Sequence, residues 1–220
     1  MDLTISIEEI ILKIKNDSFD WVWVNSTGAG APKDFPRGKA CGFAAIRNEK
    51  RSMTMFDCDN SYPDEAEKLY PLLEEQLESL VAGVPYPIAN LSNASALLAQ
   101  ALTRINWVGF YLRQGDRLVL GPFQGKPACI EIPIGRGVCG TAAAKDETQL
   151  VADIHAFPGH IACDSASNSE IVIPLHKDGK VAAVLDIDSP IKGRFTETDK
   201  VELEQLASIL ESILTRQIRP

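Results

Sequence analysis

The sequence predicts an α+β domain: a central, mostly antiparallel sheet of about six strands flanked by N- and C-terminal helices. Three observations carry this reading. Apolar stripes at helical spacing precede the strand region, at Leu73, Leu77, Leu80 and Val81, and follow it, at Leu203, Leu206, Leu210, Ile213 and Leu214. Between them, β-rich runs are joined by the short turn sequences Gln114-Gly115-Asp116 and Lys177-Asp178-Gly179. An order of helices, hairpin-joined strands and a closing helix is one in which terminal helices cover an antiparallel sheet.

The 220 residues, 45% hydrophobic and 24% charged, suffice for one medium domain with a full core and an appendage. Residues 1–58 read as an N-terminal extension and 59–220 as the domain. The extension has a short apolar start (Ile7, Ile10, Ile11, Ile14) and then a Gly/Pro-rich passage with no sustained period. Its plain reading is a weakly ordered segment ahead of a composition change near Met53 and Met55. The other is a small accessory segment packed on the domain.

Within the domain, Pro71 is placed to open the first helix and Gly83 to end it. Ser92 can cap a second helix whose buried face runs Leu91, Ala94, Leu98, Ala101, Leu102 and Ile105. Trp107–Leu112 and Arg117–Leu120 form a hairpin, and Ile130, Ile132 and Ile134 alternate in a third strand. Gly135 to Thr141 is a glycine turn opening a short helix at 142–145. A long loop, 152–169, precedes two strands, 170–175 and 181–188. Thr196 and Asp199 then start the last helix as a capping box.

Strand parity sorts the chemistry, because alternate side chains point to opposite faces. Trp107 and Tyr111 share a face, as do Asp186, Asp188 and Val184, leaving Ala183, Leu185 and Ile187 for the core. Glu170 joins the aspartates only if the hairpin register allows it. A two-residue Asp178-Gly179 loop puts Glu170 opposite Ile187, whereas a three-residue loop, Lys177 to Gly179, puts it opposite Asp186. We expect the three-residue loop.

A formal charge of -8 argues against a phosphate-tracking surface, and no nucleic-acid partner is expected. The start has no basic n-region and no apolar segment reaches spanning length, so neither secretion nor membrane insertion is expected. Five cysteines in a chain too large to need disulfide staples point to a reducing cytoplasm where thiols serve reactivity.

Three of those cysteines, Cys129, Cys139 and Cys163, lie between the aromatic strand and the aspartate strand. Cys139 sits at the glycine turn, where amide donors and the helix dipole favour a thiolate or a substrate carboxylate; its plain reading is a small buried hydrophobe. Cys163 lies in a Ser/Asn-rich loop, an accessible place for a nucleophile. Three carboxylates on one face are either a solvated surface or a pocket in which repulsion and burial keep one acid protonated. His155, His160 and Cys163 lack the paired spacing of a metal site, and no metal or cofactor is expected. His176, beside a turn, reads as surface.

The chain resembles the free methionine-R-sulfoxide reductases, the catalytic branch of the GAF domain family. The carriers are Asn106-Trp107-Val108-Gly109-Phe110-Tyr111, Gly121-Pro122-Phe123-Gln124-Gly125, Ala128-Cys129-Ile130, Gly135-Arg136-Gly137-Val138-Cys139-Gly140, His160-Ile161-Ala162-Cys163-Asp164 and Asp186-Ile187-Asp188-Ser189-Pro190. The likeness runs from about Tyr70 to the end and leaves out Cys41 and Cys58. It implies a GAF-like fold and thiol-dependent reduction of free L-methionine-R-sulfoxide. Cys163 would be the nucleophile that becomes a sulfenic acid, and Cys129 the thiol that resolves it. Cys139 would exchange into that disulfide or shape the pocket, and thioredoxin would restore the enzyme. Glu170, Asp186 and Asp188 would bind the sulfoxide oxygen and the amino group, Trp107 and Tyr111 the thioether methyl, and the backbone of Gly137, Val138 and Gly140 the carboxylate. A homodimer is compatible with the terminal helices. The alternatives are a non-catalytic small-ligand-binding GAF module and a thiol redox sensor.

Overall fold

The computed structural model describes residues 62–159 and 165–215. The expectations for residues 1–58, His160 and Cys163 lie outside them. Helices α1 (Ala66–Val81) and α2 (Pro87–Ala101) lead into the hairpin β1 (Trp107–Gln114) and β2 (Arg117–Gly125), then β3 (Glu131–Pro133) and α3 (Gly137–Lys145). Strand β4 (Gln149–Val151), one turn of 3-10 helix (Ile154–Ala156), the hairpin β5 (Ser169–Lys177) and β6 (Lys180–Ser189), and α4 (Glu197–Thr215) complete the chain. The six strands form one sheet in the order β3-β2-β1-β6-β5-β4, and every neighbouring pair is antiparallel. Among the described residues no helix is long and apolar enough to cross a membrane.

Parity divides the core in two. Phe110, Ile171, Ile173, Leu185 and Ile187 point to the face covered by α1, α2 and α4, where they meet Leu73, Leu77, Leu91, Leu98, Leu203 and Leu210. Each such side chain, fully buried, stabilises the fold by roughly 1.5–3 kcal/mol. Trp107, Tyr111, Val172 and Val184 point the other way, toward Val138, Cys139 and Ala142 of α3. The helices thus hold one face of the sheet rigid. The opposite face, packed against α3, carries Trp107, Tyr111, Glu170, Asp186 and Asp188.

Several local expectations are corrected. The first helix begins at Ala66, so Pro71 lies inside it, on an exposed position. The second helix begins at Pro87 in the first-turn position, and Ser92 is interior, its hydroxyl donating to the Ile88 carbonyl at 2.8 Å rather than capping. Ile130 is 72% exposed, because β3 contains only the three residues around Ile132. Strand β4 lies outside every element expected from the sequence, being too short to show a period.

The β5–β6 hairpin also departs from expectation, in an informative way. Its loop is two residues, Asp178 and Gly179, both with positive φ, as a primed turn requires. His176 pairs with Val181 but Leu175 pairs with Ala183, so Ala182 is an extra residue on β6. That bulge moves the register by one. Glu170 faces Asp188 and Val172 faces Asp186, and all three acids fall on the same face.

The final helix starts as expected. Thr196 Oγ1 accepts from the Asp199 backbone N–H at 3.2 Å, and Asp199 Oδ2 accepts from the Thr196 backbone N–H at 2.8 Å. Asp199 also accepts from the Tyr70 hydroxyl at 2.6 Å, tying α4 to α1. Burial opposes the charge on Asp199, but the bonds from Tyr70 and Thr196, with Arg194 nearby, outweigh it and hold the carboxyl below its ordinary value. A depressed pKa contributes stability above the unfolded value and loses it as pH falls through the folded one. Thr196→Ala should therefore cost about 1 kcal/mol and Tyr70→Phe roughly 1.5–3 kcal/mol at neutral pH. In urea unfolding, both losses should shrink once the pH is below the carboxylate range; equal losses at both pH values would refute the role given to Asp199.

Candidate active site

On the partly covered face of the sheet a cavity is lined by Trp107 and Tyr111 from β1, Gly137, Val138 and Cys139 from α3, Glu170 from β5, and Asp186 and Asp188 from β6. Pro127 and Ala128 from the loop after β2, Ile132, Ile154 and Ser167 complete it. Of the site residues expected from the sequence, Trp107, Tyr111, Gly137, Val138, Cys139, Glu170, Asp186 and Asp188 line it, whereas Cys129 and Gly140 do not. Gly140 serves the packing instead. It lies behind the cavity, where an added Cβ would fall 2.4 Å from the Pro133 carbonyl oxygen, so its role is to let α3 approach β3.

The aromatic wall is built on glycine. The Trp107 ring stacks on Phe123, with centroids 5.3 Å apart, and on Tyr111 at 5.9 Å. It lies over Gly109, whose added Cβ would meet the indole at 2.7 Å and Phe123 at 2.3 Å. The polar tips of the wall pin the loop above it. Trp107 Nε1 donates to the Lys126 carbonyl at 3.1 Å and the Tyr111 hydroxyl to the Cys129 carbonyl at 3.0 Å. Burial, then the field of Asp186 and its neighbours, pushes the Tyr111 phenol far above its usual pKa, so it remains a neutral donor.

The opposite wall is acidic. Glu170 is 7% and Asp186 6% exposed, and Cys139 is 4% exposed between them. The thiol donates to Asp186 Oδ2 at 3.2 Å and reaches Glu170 Oε1 at 3.7 Å. Of the two readings of Cys139, the small buried thiol fits and the thiolate does not: burial, then the negative fields of Asp186 and Glu170, push its pKa well up, and the dipole of a nine-residue helix does not offset them. Burial likewise raises Asp186 to about 6, against the hydrogen bonds from Cys139 and Glu170 that lower it. Burial, then Asp186 and Asp188, holds Glu170 well above the carboxylate range. The pair thus shares a proton near neutrality, and Glu170 is the acid that keeps it. Asp186 Oδ1 is buried with no donor among the described residues.

Cys129 sits partly buried against the apolar cluster of Trp107, Tyr111 and Cys139 and is disulfide-bonded, whereas Cys139 is the free thiol among the described residues. His155 is exposed, with Nε2 3.3 Å from Asn168 Oδ1. His176 is more than surface: Nδ1 meets Glu211 and Nε2 meets Asp146, each at 2.6 Å, linking β5 to α4 and to the end of α3. Sequence reasoning missed Ser167, which is 3% exposed and accepts from Asn106 Nδ2 at 3.0 Å. The signal was present: Ser167 stands two residues before β5 in the Ser/Asn-rich loop.

The acidic wall has a cost in stability. For a carboxyl whose folded pKa is raised, the unfolded chain ionises first, so stability falls as pH rises from the ordinary carboxylate value through the folded one. Glu170→Gln, which keeps the shape and removes the charge, should raise the melting temperature at neutral pH. The gain should vanish toward about pH 4. A variant that melts at or below wild type at neutral pH would contradict the protonation assigned to this pair.

A GAF domain family model matches residues 87–214. The free methionine-R-sulfoxide reductase of Escherichia coli (strain K12) is 54% identical over 147 residues, which are 67% of this chain and 89% of that protein. The reductase of the same description from Saccharomyces cerevisiae is 47% identical over 150 residues, 63% of this chain and 83% of its own. Among solved structures, the free methionine-R-sulfoxide reductase from Neisseria meningitidis in complex with its substrate superposes with a TM-score of 0.68 at 48% identity, covering 72% of this chain and 95% of that one. The fRMsr of Staphylococcus aureus in complex with substrate gives 0.64 at 55% identity, over 66% and 95%. The chain therefore belongs to the free methionine-R-sulfoxide reductase family of GAF domains.

Proposed function

We propose that this oxidoreductase reduces free L-methionine-R-sulfoxide to L-methionine, with Cys163 as nucleophile and Cys129 as the thiol that resolves it. The observation that carries the reading is the buried pair Glu170 and Asp186, one acid that holds its proton and one that is ionised, facing an aromatic wall across a single cavity. A sulfoxide needs both. Its oxygen must be protonated as the S–O bond weakens, and the substrate ammonium needs an anion.

Glu170 donates its proton to the sulfoxide oxygen while the Cys163 thiolate attacks the sulfoxide sulfur. The oxygen passes to the cysteine, which is oxidised by two electrons to a sulfenic acid, and methionine leaves as the thioether. The Cys129 thiol then attacks the sulfenic sulfur, an S–S bond forms and water departs. A dithiol of the thioredoxin type reduces that disulfide and closes the cycle. Three features support the cysteine assignments: Cys129 is disulfide-bonded, its carbonyl is held by Tyr111, and Ile154 and Ser167, which bracket Cys163 in sequence, line the cavity. Cys139, buried and protonated, serves as a donor that orders the acids.

Asp186 and Asp188 hold the ammonium, and Asp186 Oδ1 is the acceptor left open for it. Trp107 and Tyr111 receive the thioether methyl, a contact that suits polarisable sulfur. The start of α3, at Gly137 and Val138, offers amide donors to the carboxylate. A closed set of partners for both ends of an amino acid selects the free molecule over a peptide-linked residue.

The test is methionine release from the separate R and S sulfoxides of free methionine with a thiol donor. The R isomer should be consumed and the S isomer left, Cys163→Ser should abolish turnover, and Glu170→Gln should lower kcat by ~10²–10⁴-fold. Equal turnover of both isomers, or an active Cys163→Ser, would overturn the assignment. Equilibrium binding of the sulfoxide with no methionine released would instead favour a binding module.

A further inference from the structure

Cys139, Glu170 and Asp186 each offer one ligand atom, and the three atoms lie within 4.8 Å of one another. All three residues are buried and come from three separate elements, α3, β5 and β6, that the sheet and its packing hold in place. The separations fit a particular kind of ion. A tetrahedral zinc with bonds of about 2.3 Å to sulfur and about 2.1 Å to oxygen spaces those two atoms about 3.6 Å apart. The observed distances from the Cys139 sulfur, 3.2 Å to Asp186 and 3.7 Å to Glu170, bracket that value.

A second observation points the same way. Asp186 Oδ1, the other oxygen of one ligand carboxylate, is buried and has no hydrogen-bond partner among the described residues. No lysine, arginine or histidine is among the described residues that line the cavity. A thiol and two acids without a cationic side chain form a donor set of mixed softness, one that suits a divalent transition metal better than Mg²⁺ or Ca²⁺. Three protein ligands leave a fourth position open toward the cavity.

We propose that Cys139, Glu170 and Asp186 bind a divalent metal ion of the zinc class, which fills the cavity in place of the substrate's ammonium and so acts as an inhibitor. On binding, the ion displaces the Cys139 proton and any proton shared by the acids, and no electrons move. The binding site stands on the geometry alone, whereas its competition with substrate rests on the proposed function.

The probe is Co²⁺, added to the full chain in its disulfide form without a reductant. A thiolate-to-cobalt charge-transfer band should appear in the wild type and be missing from Cys139→Ser. Glu170→Gln, which keeps the thiol, should bind more than ~10-fold more weakly, since loss of even an outer partner of a metal site costs that much. Free methionine-R-sulfoxide should bleach the band, and Zn²⁺ should displace cobalt. No band, a band that survives in Cys139→Ser, or equal affinity in Glu170→Gln would overturn the site; should Cys139→Ser fail to fold, Glu170→Gln decides. A band that the sulfoxide leaves unchanged would overturn the competition. Turnover of the sulfoxide in excess chelator is scored separately, so failure of the catalytic reading is distinguishable from failure of the metal site.

Discussion

One extra residue in one strand decides where the charge of this domain goes. A two-residue turn alone would pair Glu170 with Ile187 and turn its carboxylate away from the aspartates. Ala182, bulged out of β6, moves the register so that Glu170 faces Asp188 while Asp186 stays on the same side. Burying carboxylates so close together is unfavourable unless one keeps its proton, and here one does. The clustering of the three acids is thus a consequence of strand pairing. The helices on the other face make the pairing hard to escape, because a slip of one residue would expose Leu185 and Ile187.

The aromatic wall depends on the absence of side chains. Gly109 lets the Trp107 indole lie flat on β1, and Gly125, opposite Trp107 across the hairpin, leaves room for the same ring, since a Cβ there would sit 2.6 Å from it. Gly121 and Pro122 sit together opposite Phe110, where β2 bulges and proline's missing N–H costs no ladder bond. The ring held in this way fixes the loop above it through Lys126, while Tyr111 fixes Cys129. The aromatic wall and the placement of Cys129 share one structural cause. Cys139 completes the site from a third direction, with a buried thiol that orders both acids.

Much of this was legible in the sequence, for reasons that differ from residue to residue. The acids and aromatics were sorted correctly because parity along a strand is a local property, and the Thr196 capping box because its two bonds span three residues. The hairpin loop was misjudged although the acidic face was right: turn chemistry favoured Asp178-Gly179, but a bulge three residues further on leaves no mark in composition. Pro71 and Ser92 misled because each is a good start signal that another proline or a preceding turn overrode. For Cys139 the sequence left two readings open, a thiolate and a small buried hydrophobe. A helix N-terminus reads as favourable to a thiolate until the two carboxylates from distant strands are known to face it.

The central claim is that the shared proton resides on Glu170 at neutral pH. Carbon-13 NMR of the side-chain carboxyls, assigned through Glu170→Gln and Asp186→Asn, follows each acid across the titration directly. The account predicts an Asp186 midpoint near 6 and Glu170 protonated well beyond it. Two midpoints in the ordinary range near about 4 would contradict it.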